Sequence, residues 1–293
     1  MRRSVGVLLL LCGIASAHPG SHHDLAQATD ALGRDPGAAD VWLLRAALYR
    51  GHGEYRRSLA DLDQAARRGA DAASLDLQRG LTLAAMDRHL EAVGSLTRSI
   101  EARPAWATYV ARGRSFARLG RDDATVPDLD AALAMRPQVD VYLERGAALR
   151  RLGRLEEAAA GYRDALSRLG PATVIVDPSI DLELALDRIP AALALIDAQL
   201  QRGPDTHWLL RRAEALAVAG DDAGRAATLE QALAVADAAV AKRGTAINLV
   251  ARARVHLARG GTALARADLR TALERAPSYR AAQELSMLTG ATP

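Results

Sequence analysis

The sequence is poor in aromatic residues, cysteine and lysine. Aromatics are 3% of the 293 residues, Cys12 is the one cysteine and Lys242 the one lysine. A core with so few rings has to be filled by alanine and leucine, which suits helices packed closely on one another. Strands would draw on Val, Ile, Thr and aromatics. A lone cysteine cannot close an intramolecular disulfide, and position 12 falls within a segment that reads as a removable leader, so the mature chain has no thiol chemistry. There is no HExxH, no phosphate-binding glycine loop and no GxSxG nucleophile elbow. These absences predict a protein without an active site and without a cofactor.

Charge of one sign is also lacking. The formal net charge is +3, two of which are Arg2 and Arg3, and the other arginines are interspersed with Asp and Glu. Such mixing marks solvated helix faces and argues against nucleic acid as a partner. At 49% hydrophobic and 25% charged the chain can bury a substantial core, which excludes disorder. The one long apolar run, from Val5 to Ile14, is too short to span a membrane as a helix.

That run follows Arg2-Arg3 and precedes Ala15-Ser16-Ala17, which is the pattern of a secretory signal peptide over residues 1–17. Export, to a periplasm or to the medium, is the expectation. The mature N-terminus would be His18-Pro19-Gly20-Ser21-His22-His23. Three histidines and a free amine could hold Cu(II) or Zn(II), although Pro19 blocks the version that needs successive deprotonated amides. Residues 18–38 read as this leader plus a short capping helix with Leu25, Ala28, Ala31 and Leu32 on one face.

The rest of the chain repeats. The stretch 139–170 contains two runs with helical periodicity, separated by Arg151-Leu152-Gly153-Arg154, where glycine can end a helix in the left-handed conformation. A small residue in the first run serves as a ruler: Ala46, Gly80, Gly113, Gly146, then Ile180, Ala213 and Ala253, at steps of 34, 33, 33, 34, 33 and 40. Turn glycines at 53, 120, 153 and 220 and prolines at 104, 137, 204 and 277 keep the same register. Gly80, Gly113 and Gly146 cost about 1 kcal/mol each against alanine in a helix, so their column predicts close helix packing. His52, His89, His207 and His256 fall in different columns, so no site is built from them.

These columns resemble the tetratricopeptide repeat, with its aromatic, Leu-Gly, Tyr, Ala, Phe and Pro positions. The resemblance implies an all-α fold: a right-handed α-solenoid of about seven helix-turn-helix repeats with capping helices. The repeats fall at residues 39–72, 73–105, 106–138, 139–172, 173–205, 206–245 and 246–277, and a closing helix and tail at 278–293. Repeat three carries Pro127 early in its second helix and is expected to be shortened or bent there. Repeat five opens on the β-branched run 173–176 and is expected to start its first helix late, near Pro178, and its second at Pro190.

Arginine precedes the ruler where such repeats usually have leucine. Arg45, Arg112 and Arg252 have Asp61, Asp128 and Asp268 sixteen residues on, which predicts a salt bridge between the two helices of a repeat. Arg79, Arg145 and Arg212 lack that aspartate.

The resemblance further implies that first helices line a groove for a protein or peptide partner. Arg50, Arg114, Arg118, Arg150 and Arg151 would face it, with Asp177, Asp181 and Glu214 further along, so an acidic segment is the partner that repeats three and four suit. The clamp that family members use for chaperone C-termini needs asparagine where this chain has Ala47, Leu81, Arg114 and Ala147, so that ligand is disfavoured. Function is therefore expected to be that of a non-catalytic interaction scaffold. A metal-handling role for His18, His22 and His23 is the alternative.

Overall fold

Alanine and leucine at helical spacing leave the backbone one economical outcome, and the computed structural model shows it. Residues 21–290 are described, with side chains from His23 onward; residues 1–17 and His18 lie outside that range. Among the described residues there are sixteen α-helices and no strand. They form two compact bodies, one ending at Pro171 and the other beginning at Ala172.

In the first body α1 (Ser21–Arg34) packs on α2 (Ala39–Gly51), which pairs with α3 (Tyr55–Arg67). The next three hairpins are α4 (Ala72–Ala85) with α5 (His89–Ala102), α6 (Trp106–Arg118) with α7 (Asp122–Met135), and α8 (Val139–Arg151) with α9 (Leu155–Leu169). The second body has α10 (Thr173–Ala185) with α11 (Ile189–Leu200), α12 (Thr206–Val218) with α13 (Asp222–Lys242), and α14 (Ala246–Ala258) with α15 (Thr262–Arg275). It closes on α16 (Arg280–Thr289). The extra residues of repeat six lengthen α13, as the 40-residue step implies.

Each hairpin of the first body is closed by a large residue of its second helix seated against the ruler of its first. Leu62, Leu96 and Leu129 are fully buried opposite Ala46, Gly80 and Gly113, and Tyr162 is buried opposite Gly146. A Cβ at Gly80 would stand 2.5 Å from Leu96 Cγ, and one at Gly146 would stand 2.3 Å from the Tyr162 hydroxyl. The hairpin turns use Gly53, Gly120, Gly153 and Gly220 at φ of 71° to 75°, whereas repeats two and five place Asp87 (φ 61°) and Asp187 (φ 57°) in the same left-handed corner.

Two expectations fail, both at proline. Helix α7 is not shortened: it runs for 14 residues from Asp122, with Pro127 inside it. Pro127 and Asp123 are both exposed, so the carbonyl that the proline cannot bond lies on the solvent side. Helix α10 starts at Thr173, five residues before Pro178, and the β-branched run is helical. Ile175 and Val176 are completely buried there; burying two such side chains is worth about 3–6 kcal/mol, which outweighs helix-propensity deficits of a few tenths of a kcal/mol per residue. The second helix of that repeat begins at Ile189, with Pro190 in its first turn, one residue from the expected start.

Candidate functional site

The arginine before the ruler points out of the first helix toward the second-helix layer. Arg45 donates from Nε and NH2 to Asp61 at 2.7 and 2.9 Å, Arg112 to Asp128 at 2.8 and 2.7 Å, and Arg252 to Asp268 at 2.9 and 2.6 Å. The three aspartates are 4–6% exposed, so these forks bind carboxylates largely withdrawn from water. The hydrogen bond from each arginine to its aspartate outweighs the cost of burial and holds Arg45, Arg112 and Arg252 above the usual guanidinium range.

The arginines without that aspartate turn the other way. Arg79 donates from NH2 to Asp63 at 2.8 Å, Arg145 donates from Nε to Asp130, and Arg212 donates from Nε to Asp197 at 3.1 Å. Arg112 also reaches Thr97 at 3.0 Å, and Arg252 reaches Asp237 at 3.0 Å. The partner column therefore lies 15 or 16 residues before the arginine, on the second helix of the preceding repeat. Asp63, Thr97, Asp130, Asp197 and Asp237 keep their own register, one that runs behind the arginine instead of ahead of it. Each arginine thus ties its hairpin internally, to the previous hairpin, or both.

The first helices α2, α4 and α6 pack side by side in the first body, and the positions two before and one after the ruler recur on each of them. In repeats one to three these include Leu44, Ala47, Leu81 and Ala111, all half-buried, and Gln78, which is buried. Beyond them Arg114 of α6 bridges to α8, donating from Nε to Glu144 at 2.9 Å and from NH2 to Asp140 at 2.8 Å. Glu144 is the first cause holding the Arg114 guanidinium above its ordinary range.

The five expected groove arginines consequently differ. Arg50 is tucked against Gln78 with NH2 at 3.5 Å, and burial pushes its guanidinium below the usual range. Arg118 meets Asp87 at 3.4 Å. Arg151 donates from Nε and NH2 to Asp122 at 2.8 and 2.7 Å, tying α8 to the start of α7. Arg150 is exposed and has no ion-pair partner among the described residues. The expected basic patch at repeats three and four is thus largely neutralised by Asp140, Glu144 and Asp122, acids that the sequence reading left out of the balance.

In the second body the expected acidic patch is likewise compensated. Arg211 of α12 donates from NH2 to Asp181 of α10 and from NH1 to Glu214 at 2.6 Å, and His207 Nε2 lies 2.9 Å from Asp177.

Of the histidines considered as metal ligands, His18 lies outside the described residues. His22 and His23 fall in the first turn of α1, and the His23 ring contacts the Gln27 amide at 2.8 Å. Among the described residues no three His, Cys, Asp or Glu side chains converge as a metal site would require, and no helix is long and apolar enough to cross a membrane.

With this geometry in view the comparisons fall into place. The family model "Tetratricopeptide repeat" matches residues 110–172, which hold most of repeat three and all of repeat four. No curated protein matches the sequence. Among solved structures, YrrB, described as a TPR protein with an unusual peptide-binding site, is 18% identical, with 64% of this chain and 97% of that one covered and a TM-score of 0.51. A tetratricopeptide repeat protein from Parabacteroides merdae is 17% identical, over 86% of this chain and 98% of that one, with a TM-score of 0.50. The APC/C hetero-tetramer Cut9–Hcn1 gives a chain that is 18% identical over 92% of this one, at a TM-score of 0.42; this chain spans about half of it, 52%. At such identities the likeness is one of fold, and it is the fold that the ruler, turn and proline columns specify: residues 110–172 carry the tetratricopeptide repeat, and the chain has the fold of tetratricopeptide-repeat proteins.

Proposed function

We propose that the chain is an exported, non-catalytic scaffold that holds a protein segment along the first-helix face of repeats one to four. The observation that carries this reading is the row on that face. Leu44, Ala47, Leu81 and Ala111 are half-buried apolar side chains on α2, α4 and α6, and along the chain they are followed by the Arg114–Glu144 pair and by the exposed, uncommitted guanidinium of Arg150 on α8. A peptide laid across the row would cover the apolar positions at repeats one to three and meet charge at repeats three and four, with an acidic residue favoured at Arg150. YrrB, which shares the fold, is described as having a peptide-binding site. The signal-peptide pattern of residues 1–17 supports export.

Photo-crosslinking tests this directly. A photoreactive residue at Ala47, Leu81 or Ala111 should capture a common partner in cells, whereas one at Arg67 or Glu101, on second helices, should not. Equal capture from both sets would refute the assignment. Fractionation with N-terminal sequencing tests export: a mature protein beginning at His18 is expected, and a cytoplasmic chain retaining residues 1–17 would refute it.

A further inference from the structure

The arginine column contains an internal template for a binding site. In repeats one and three the Nε edge of the arginine is closed by an aspartate sixteen residues on, Asp61 or Asp128, through two hydrogen bonds. The same place in repeat two is occupied by Ser95, and in repeat four by Gly161. Neither can close the fork, and the structure has a crevice at each.

Beside Arg79 the crevice is about 420 Å³, open to solvent, and lies wholly within the first body. Its charged walls are Arg79, Arg88 and Arg98 with one carboxylate, Glu91, and Ser95 and Gly94 are the small residues that leave the space. Arg88 is committed to Glu91 through two hydrogen bonds at 2.7 and 2.6 Å. Arg98 is committed to Asp76 at 2.7 Å and also reaches the Ser95 hydroxyl at 3.2 Å. Arg79 is held only from NH2, by Asp63, which is half exposed. Among the described residues no carboxylate meets its Nε edge. The crevice therefore combines one open guanidinium edge with two more arginines at its rim, in a volume within the ~300–1,000 Å³ of ligand pockets.

The crevice beside Arg145, about 370 Å³, is the internal contrast. Asp130, Glu157 and Asp164 all line it, Arg145 already donates from Nε to Asp130, and its NH1 fills the place a side chain at Gly161 would take. That crevice has three carboxylates against Arg145 and Arg168, whereas the one in repeat two has three arginines against Glu91 and lacks the aspartate of repeats one and three.

We propose that the crevice beside Arg79 is a second docking point, on the second-helix side of the array, and that it takes the carboxylate of an Asp or Glu side chain from a partner's acidic segment. The bound carboxylate would reproduce the Arg45–Asp61 and Arg112–Asp128 forks in trans. This point is separate from the first-helix face, so the two can fail independently.

The test is calorimetric titration of the intact mature protein with N-acetylated tetraglutamate amide, beside tetraglutamine amide and sodium acetate. Two variants probe the fork: Arg79→Gln removes it, and Ser95→Asp supplies the missing carboxylate from within. Tetraglutamate should bind the unmodified chain, and both variants should weaken it roughly tenfold or more, as expected for loss of a charge-assisted pair. Ser95→Asp should at the same time raise Tm, showing that affinity is lost by occupation and not by misfolding. Arg270→Glu, exposed on α15 of the second body, should leave the affinity unchanged. Undiminished binding in either fork variant, or no binding to the unmodified chain, overturns the proposal. So does acetate binding as tightly as the peptide, since that would make the crevice a small-anion site.

Discussion

The Arg112–Asp128 fork joins α6 to α7 at a point where both charges have left most of their water, and the structure sets what its removal should cost. Asp128 has 5% side-chain exposure and Arg112 19%. Arg112→Ala would strand an almost fully buried carboxylate, which costs about 3–5 kcal/mol. Asp128→Ala would strand a guanidinium that keeps Thr97 at 3.0 Å and some access to water, so about 2–3 kcal/mol is expected. Removing both leaves no buried charge, and the double variant should lie close to the worse single one, a coupling of about 2–3 kcal/mol. Repeat arrays open hairpin by hairpin, so the cycle is best read by native-state hydrogen exchange of the α6 and α7 amides as well as by urea unfolding. Arg145 with Asp130 supplies the control: Asp130 is half exposed, and the coupling there should be about 0–1 kcal/mol. Additive losses at Arg112 and Asp128, or equal coupling at the two pairs, would refute the claim that burial of the aspartate makes this pair strong.

Three further outcomes follow from particular contacts. Gly146→Ala should destabilise the first body by about 1–2 kcal/mol net, since displacing Tyr162 exceeds the helix-propensity gain of about 1 kcal/mol. Gly113→Ala, where the nearest atom is a flexible Leu129 methyl at 3.0 Å, should be nearly neutral; the reverse order in urea midpoints would contradict this account. Pro127→Ala should stabilise by about 2 kcal/mol, because a helical bond is regained at a proline α7 already accommodates; an unchanged or lower Tm would show that the ring serves packing instead. Asp71 caps α4, and its carboxyl is held below its ordinary range first by the Ser74 hydroxyl and backbone N–H and then by Arg103. A depressed folded-state pKa gives stability that is present above the unfolded value of about 3.9 and lost as pH falls through the folded one. Asp71→Asn should therefore lose less stability than the parent between about pH 5 and pH 3 in urea titrations, and parallel curves would refute the linkage.

What could be read from the sequence was what repeats. Ruler, turn and proline columns each recur at a spacing that a helical hairpin imposes, so hairpin number and helix boundaries were legible. The long α13 was too, because an insertion shows as a change of step. The failures at Pro127 and Pro178 come from treating a local penalty as decisive: completely buried Ile175 and Val176 stabilise α10 by more than the β-branched run and Pro178 weaken it. Asp87 and Asp187 show the complementary limit, since a left-handed corner without glycine leaves no trace in a glycine column.

The surface was harder to read because arginine has two uses in this chain that sequence position alone does not separate. Arg114, Arg118 and Arg151 look alike along the first helices, yet Arg114 bridges to the next hairpin, Arg118 reaches back to Asp87 in the preceding turn, and Arg151 secures the start of α7. What distinguishes them is the residue about thirty positions away that meets the guanidinium: Glu144, Asp87 or Asp122. An arginine is available to a partner only when that residue is missing. By this criterion Arg150, with no ion-pair partner, is the first arginine to test for binding, and Arg79 follows, because Asp63 holds it only from NH2 and Ser95 stands where repeats one and three have aspartate. Reversing Arg118 or Arg151 should change stability before it changes affinity.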